Sequence, residues 1–427
     1  MVNKNLIKLG DCTSTIKGYA FKSQWYSSEG RPLVKVSNFS DNSIDTSNLV
    51  FIPEKIAKEY EKYSLMRDDV IIQTVGSYAS NPASVVGKVI RVPFSASGSL
   101  LNQNAVKIIP NPEIEKKFLY YLLKNDTFKN YILGTARGAA NQASITLESI
   151  IHFKFYLPPF PTQQKIATIL YAYDDLIENN ARRIKILEEM AQALYREWFV
   201  HFRFPGHEGM QMVKSDLGLV PEGWEVRTVW KTFEISGGGT PSTKIPEYWK
   251  SGAINWYSPT DLTSSETMFM DCSGNQISEL GLKKSSAKLF PPFSVMMTSR
   301  ATLGVISINT TDACTNQGFI TCLPNDRFPL YTLYHWLKEN AETFISLGTG
   351  STFKEITKGA FKTIQLIVPP SKIVSQFEKT MQPLALQILN FQRKNANLRR
   401  TRDLLLPKLI SGELDVSGLN IDIPADL

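Results

Sequence analysis

The residues that could do chemistry in this chain are informative first for what they fail to assemble. An amino-methyltransferase places Asn, Asp or Ser before Pro-Pro-Tyr/Phe, so that a polar oxygen can accept from the target amine. Pro-Pro-Phe occurs twice, at 158–160 and 291–293, but Leu157 and Phe290 precede it and offer no acceptor. "SGGGTPS" at 236–242 is glycine-rich yet lacks GxGxxG spacing, and there is no GxxxxGK[ST] phosphate loop. No Pro-Asp precedes an ExK, which leaves Glu115-Lys116-Lys117 as an isolated match to a nuclease signature. Cys12, Cys272, Cys314 and Cys322 form no CxxC pair, and His152, His201, His207 and His335 have no metal-ligand spacing. No catalytic constellation and no bound cofactor or metal are expected.

Residues suited to reading nucleic-acid bases are present instead. Base edges are read by forked or amide side chains, Arg to guanine and Asn or Gln to adenine. Turn-like stretches carry such groups. In the N-terminal half they are Gln73, Thr74, Ser77 and Tyr78 in "QTVGSYASN", and Arg137, Asn141 and Gln142 in "GTARGAANQAS". In the C-terminal half they are Thr298, Ser299 and Arg300 in "MTSRATLG", Thr240, Ser242 and Lys244 in "GGGTPSTK", and Thr349, Ser351 and Lys354 in "GTGSTFKE". The alternative for each is a plain polar surface loop. For Asn102/Asn316 and Gln103/Gln317 two readings carry equal weight, base contact or an internal turn.

Positioning these groups falls to a unit written twice. "LPPFPTQQKIATIL" from Leu157 matches "VPPSKIVSQFEKTM" from Val368 at an offset of 211 (Pro158 to Pro369), without gaps from Ile145/Ile356 to Trp198/Leu409. Upstream the offset is 214, where "NQNAVKIIPN" at 102–111 faces "NQGFITCLPN" at 316–325. Nearer each N-terminus only texture survives, "GRPLVKVSNFSD" against "GAINWYSPTDL". A repeat this long signals a duplicated domain and not a solenoid. Short Val- and Ile-rich runs ending in Gly, Pro or Asn predict mixed α/β bodies over 1–157 and 222–368. Spacer helix regions are expected at 158–200 and 369–412, a Gly- and Pro-rich linker at 201–221 and a tail at 413–427.

The first helix carries a heptad seam: Ile166, Leu170, Tyr173, Ile177, Asn180, Ile184, Leu187, Ala191, Leu194, Trp198. The second repeats it with Phe377, Met381, Leu384, Ile388, Phe391, Asn395, Leu398, Arg402, Leu405 and Leu409. Two narrow stripes in one chain predict mutual packing, and the duplication predicts that it is antiparallel. From 166 to 198 the rise is roughly 48 Å, the length of about 14 base pairs, so the pair could act as a ruler. Pro383 predicts a break near Gln382, with the long helix starting at Pro383. Asn180 and Asn395 either fix register or sit at solvated positions.

Composition agrees with a soluble protein of two or more domains: 427 residues, 43% hydrophobic, 20% charged. A net charge of +7 and a pI near 9.0 lean toward a polyanionic partner. "MVNKNLIKLGD" has no apolar signal region and no run approaches about 18 apolar residues, so a cytoplasmic, non-membrane chain is expected.

Body, Pro-Pro-started helix, body, Pro-Pro-started helix is a plan that resembles the specificity (HsdS) subunit of Type I restriction-modification systems. "WFVHFRFPGHEG", "LVPEGWEV", "MTSRATLG…TNQGF" and "LLLPKLISGEL" are similar to that family, over essentially the whole chain. The resemblance implies two target recognition domains, each reading one half of a bipartite site in double-stranded DNA, joined by two long antiparallel coiled-coil helices. It implies docking of two methyltransferase (M) subunits, with motor-nuclease (R) subunits added, and places AdoMet, ATP and Mg²⁺ in those partners. Copy one departs from the pattern in having "QTVGS" where copy two has "TSRAT", so Arg300 has no arginine at the matching place, where Gln73 and Thr74 are the nearest candidates. Rival readings are a stand-alone or degenerate methyltransferase or nuclease, and a protein-only scaffold.

Overall fold

The computed structural model describes residues 6–40, 43–77, 85–139, 142–265, 267–350 and 354–424. Two compact units emerge, one formed by 1–177 with 397–427 and the other by 178–396. Each holds one body together with a stretch of both long helices.

Body one is built on a sheet of β1 (Thr13–Lys17), β2 (Val70–Gln73), β3 (Val89–Arg91) and β4 (Ala105–Pro110), all antiparallel in the order β1-β4-β2-β3. Helix α1 (Lys116–Lys124) covers one face through Phe118, Leu119 and Leu122. Its free N-terminal amides are capped by Glu115, which accepts from Lys117 and Phe118. The first long helix, α2 (Phe160–Phe199), follows the Pro158-Pro159 corner. There Gln163 accepts from the Glu115 amide at 2.9 Å and donates to the Pro158 carbonyl at 2.9 Å, fastening helix to body.

Body two repeats the topology. β5 (Glu234–Gly237), β6 (Phe269–Met270), β7 (Val295–Thr298), β8 (Ile306–Asn309) and β9 (Phe319–Leu323) order as β5-β9-β7-β8-β6, so the first four match β1-β4-β2-β3 and β6 is an added parallel edge. Helix α3 (Leu330–Glu339) stands where α1 stands, capped by Glu378 of the second long helix, which accepts from the Thr332 amide at 2.7 Å. That helix is α4 (Ser371–Ser411). The weak texture match is also a shared strand. Arg31–Val34 and Ile254–Tyr257 each pair antiparallel with one strand and parallel with another, Leu100–Leu101 and Ala313–Thr315 respectively.

Within each unit the helical stretches run antiparallel. In the first, Asp174 meets Arg402 while Lys165 donates to the Ser417 carbonyl. In the second, Asn180 donates to Asn395 at 2.9 Å, and the Trp198 and Phe377 rings lie 5.7 Å apart. The seam is inside. Ile166, Leu170, Ile177, Trp198, Phe377, Met381, Ile388 and Leu409 are buried. Tyr173, Ile184, Leu187, Leu194, Leu384, Phe391, Leu398 and Leu405 are half-buried. Asn180 and Asn395 are buried and bonded to each other, so neither is a solvated position.

One expectation is corrected. α4 runs without a break through Pro383. Pro383 and Lys379 are both exposed, so the carbonyl released one turn earlier faces water. Phe377, Met381, Ala385 and Ile388 on the opposite side are fixed in the core. The segment between the copies has structure of its own. Met212–Ser215 and Gly218–Pro221 form a hairpin, and Phe204, Val220 and Trp224 are buried, with the Phe204 ring 5.4 Å from Trp224. The segment is aperiodic because scattered aromatics, and not one face of a helix, make its contacts.

Candidate nucleic-acid interface

In body two β7 delivers its last residues to the sheet edge, and hydrogen bonds decide which of them emerge. Thr298 is fully buried, its Oγ1 accepting from the Val305 amide at 3.0 Å. Ser299 is buried too, its amide donating to the Gly318 carbonyl at 2.8 Å while its carbonyl accepts from Ile356 at 3.0 Å. Arg300 is the first side chain to reach solvent. It bridges to Glu355, which bridges to Thr349, and its Nε lies 3.9 Å from a Glu355 carboxylate oxygen. Ala301, with φ of 63°, turns the chain so that its amide donates to the Lys354 carbonyl at 3.0 Å. Arg300 is about half exposed, so its ion pair with Glu355 is weak and screened, and open to exchange for a base edge or phosphate.

A second loop joins this edge. Thr240 Oγ1 donates to Gln317 Oε1 at 2.7 Å, and Gln317 adjoins Gly318, the acceptor of the Ser299 amide. Ser242 and Lys244 are exposed in the same loop. Arg300, Thr349, Lys354, Thr240, Ser242 and Gln317 therefore share one edge, whereas Thr298 and Ser299 are scaffold behind it. Ser351 lies outside the described residues.

Body one builds the same edge with other residues. Thr74 donates to the Asn104 carbonyl at 2.8 Å and accepts from Ile145 at 3.0 Å, the bonds made by Ser299 in body two. Val75 then pairs with Ser144, which pairs with Arg137. Val75, and not Gln73 or Thr74, thus occupies the place of Arg300. Gln73 is 1% exposed and donates to the Val75 carbonyl at 2.9 Å; Ser77 is buried as well. The exposed arginine is Arg137, on the opposite flank of the central strand, where body two has Thr349. Gln142 lies on that central strand. Tyr78 and Asn141 lie outside the described residues.

The Asn pair is internal in both copies. Asn102 is buried and its amide donates to Val34; the Asn316 amide donates to Tyr257, and its side chain accepts from Gly318 at 2.8 Å. The loop after β1, with Lys22, Ser23 and Gln24 exposed, is the counterpart of the Thr240 loop and was not legible in the residue match. The signal that could have found it is Gly18 against Gly238. A Cβ on either would lie 2.1 Å from the carbonyl oxygen of Asn102 or Asn316. Among the described residues no cluster of His, Cys, Asp or Glu could hold a metal ion, and no helix is long and apolar enough to cross a membrane.

Twin bodies with one exposed edge each, on paired helices, define a class of repeated reader proteins. Residues 1–189 and 221–399 match the family of the Type I restriction modification DNA specificity domain, and the chain belongs to that family. The MjaIX specificity subunit of Methanocaldococcus jannaschii is 28% identical over 326 residues, 74% of this chain and 73% of its own. The putative MjaX specificity subunit of the same organism is 25% identical over 394 residues, 91% and 88%. The HindI specificity subunit of Haemophilus influenzae is 25% identical over 388 residues, 77% and 84%. In fold the chain is similar to the crystal structure of a Type I restriction-modification S subunit from M. genitalium, with a TM-score of 0.57 at 16% identity, covering 96% of this chain and 97% of that one.

Proposed function

We propose that this chain is the sequence-reading subunit of a Type I restriction-modification complex, each body recognising one half of a bipartite duplex DNA site. The observation that carries the reading is the repeated edge: one scaffold of backbone bonds, presented twice with different outward side chains. The helix pair sets the gap and docks two methyltransferase subunits, to which motor-nuclease subunits add. AdoMet, ATP and Mg²⁺ are held by those partners, the assembly works in the cytoplasm, and the purified chain alone transfers no methyl groups. The deciding experiment is the adenine-methylation pattern of DNA from cells expressing the chain with its methylase. A bipartite motif with a fixed gap is expected; methylation without sequence preference would leave a scaffold role alone.

Arg300→Ala is expected to relax one position of the second half-site, with a loss of discrimination of about 1–3 kcal/mol if the guanidinium grips guanine. Arg137→Ala is expected to do the same to the first. Loss of methylation spread evenly over all sequences would mark either residue as a phosphate contact instead. Removing one heptad from each of α2 and α4 shortens each by roughly 10 Å, the rise of about three base pairs. The gap should shrink with both half-sites kept. Changed half-site bases would count against the helices as a ruler.

A further inference from the structure

The duplicated scaffold brings a lysine to one place in both bodies, but carries it on opposite segments. Lys17 closes β1 opposite Val106, and Gly237 closes β5 opposite Ile320. Val106 and Ile320 are matched residues of the repeat, so Lys17 and Gly237 share a register. Thr146 caps the short helix Leu147–Ile151 by accepting from the Ser149 amide, as Thr357 caps Lys358–Thr363 by accepting from the Ala360 amide. Lys358 therefore stands where Leu147 stands. Body one has Lys17 and Leu147; body two has Gly237 and Lys358. The exchange holds in space as well. A Cβ on Gly237 would lie 1.5 Å from Lys358 Nζ, so the ammonium rests where a side chain at 237 would begin. In body one that side chain is Lys17.

Both segments of this junction lead into the candidate reading edge. Gly237 is followed by the loop that carries Thr240, and Lys358 follows Ile356, whose amide donates to the carbonyl of Ser299, the residue before Arg300. Lys17 is followed by the loop that carries Lys22, and Leu147 follows Ile145, whose amide donates to the carbonyl of Thr74, the residue before Val75. Lys17 and Lys358 are both exposed, and among the described residues neither is held in an ion pair. Internal packing gives no reason for an exposed lysine at this place twice. A cation beside a base-reading edge suits a phosphate oxygen, a contact that fixes the position of the duplex without reading its sequence. Lysine serves a phosphate as a point charge with no fork to align, so it can reach the same anion from either segment. That accounts for the exchange.

Resting on the half-site reading above, we infer that Lys17 and Lys358 are equivalent clamps, each holding a DNA backbone phosphate at the half-site its own body reads. The test uses the full chain in complex with its methylase and a duplex bearing both half-sites. Lys17→Gln and Lys358→Gln should each flatten the slope of log binding constant against log salt by about 0.9, the loss of one phosphate contact to B-DNA. Each should weaken matched and mismatched duplexes by equal factors and leave the methylated motif unaltered. Gly237→Lys combined with Lys358→Leu, which copies the arrangement of body one, should recover the slope. An unchanged slope in either single variant would overturn the inference, as would a changed base at one position of a half-site, the mark of a base contact. If the combined variant kept the slope of Lys358→Gln while still reading the second half-site, the two lysines would not be equivalent. Absence of any bipartite motif with the unsubstituted chain would instead overturn the half-site reading beneath it.

Discussion

Asp174→Ala should destabilise the first unit by about 3–5 kcal/mol, toward the lower end, and adding Arg402→Ala should restore part of the loss. Arg402 Nη1 lies 2.5 Å from Asp174 Oδ1, and Tyr121 donates its hydroxyl to the other carboxylate oxygen at 2.6 Å. Both charged side chains are only about a tenth exposed, at 11% and 10%. Burial works against the guanidinium charge, but Asp174 and Asp403 together more than offset it and hold the Arg402 pKa above its ordinary value. Burial, with Asp174 alongside, likewise raises the Tyr121 hydroxyl well above the usual range. Truncating Asp174 strands a buried cation, whose remaining partner is the exposed Asp403 at 2.8 Å. That residual pairing sets the lower end of the range.

The repeat supplies a control within the same molecule. The residues 211 positions removed are Ala385 and Ala191, both fully buried, so the second unit closes the same helix pairing without charge. Hydrogen exchange on the full chain should show faster opening of α1 and the start of α2 in Asp174→Ala, with unit two unaffected. A double variant less stable than Asp174→Ala would show that the pair is net stabilising and refute the stranded-charge account. The Asn180–Asn395 bond is one-sided in the same way, since its repeat positions are Phe391 and Ile184. Polar pairs on one side only make each helix prefer its unlike partner, because two first helices would set Asp174 against Ala191.

Much of this architecture is readable from residue types because a seam and a duplicated corner are local patterns. Leu157-Pro158-Pro159 and Val368-Pro369-Pro370 each stop a strand and start a long helix, and an a/d stripe must be buried. Pro383 misled because a proline's cost depends on which side of the helix is wet, which only the tertiary packing determines. The interface was less legible for a different reason. Gln73, Thr74, Thr298 and Ser299 are the residue types that read bases, but the same donors and acceptors also satisfy a sheet edge, and here they do. Which polar side chains face outward is set by backbone pairing between segments distant in sequence, such as Val75 with Ser144 and Arg300 with Glu355, not by composition. The pairing of Val75 with Arg300's place, and of Arg137 with Thr349's, becomes visible only once those bonds are matched.

Gly18→Ala and Gly238→Ala should have mirror-image consequences that test this matching. A Cβ on Gly238 would lie 2.1 Å from both the Asn316 and Thr315 carbonyl oxygens, and one on Gly18 would lie 2.1 Å from the Asn102 carbonyl oxygen. Neither obstacle is a side-chain tip that can swing away. Each belongs to the backbone that fixes the loop, through Gly239 N to Thr315 O at 2.9 Å and Tyr19 N to Leu101 O at 3.0 Å. Relief requires the loop to lift from the sheet, at a cost of about 1–3 kcal/mol and with loss of the reading edge. Gly18→Ala should therefore erode only the first half-site in the methylation pattern, and Gly238→Ala only the second. Gly134, where a Cβ would meet nothing within 4 Å, is the control. It sits in the helix Asp126–Thr135, so Gly134→Ala should leave both half-sites intact and add up to about 1 kcal/mol of stability. If Gly18→Ala altered the second half-site, the assignment of one body to one half would be wrong, whatever the fate of the individual side chains.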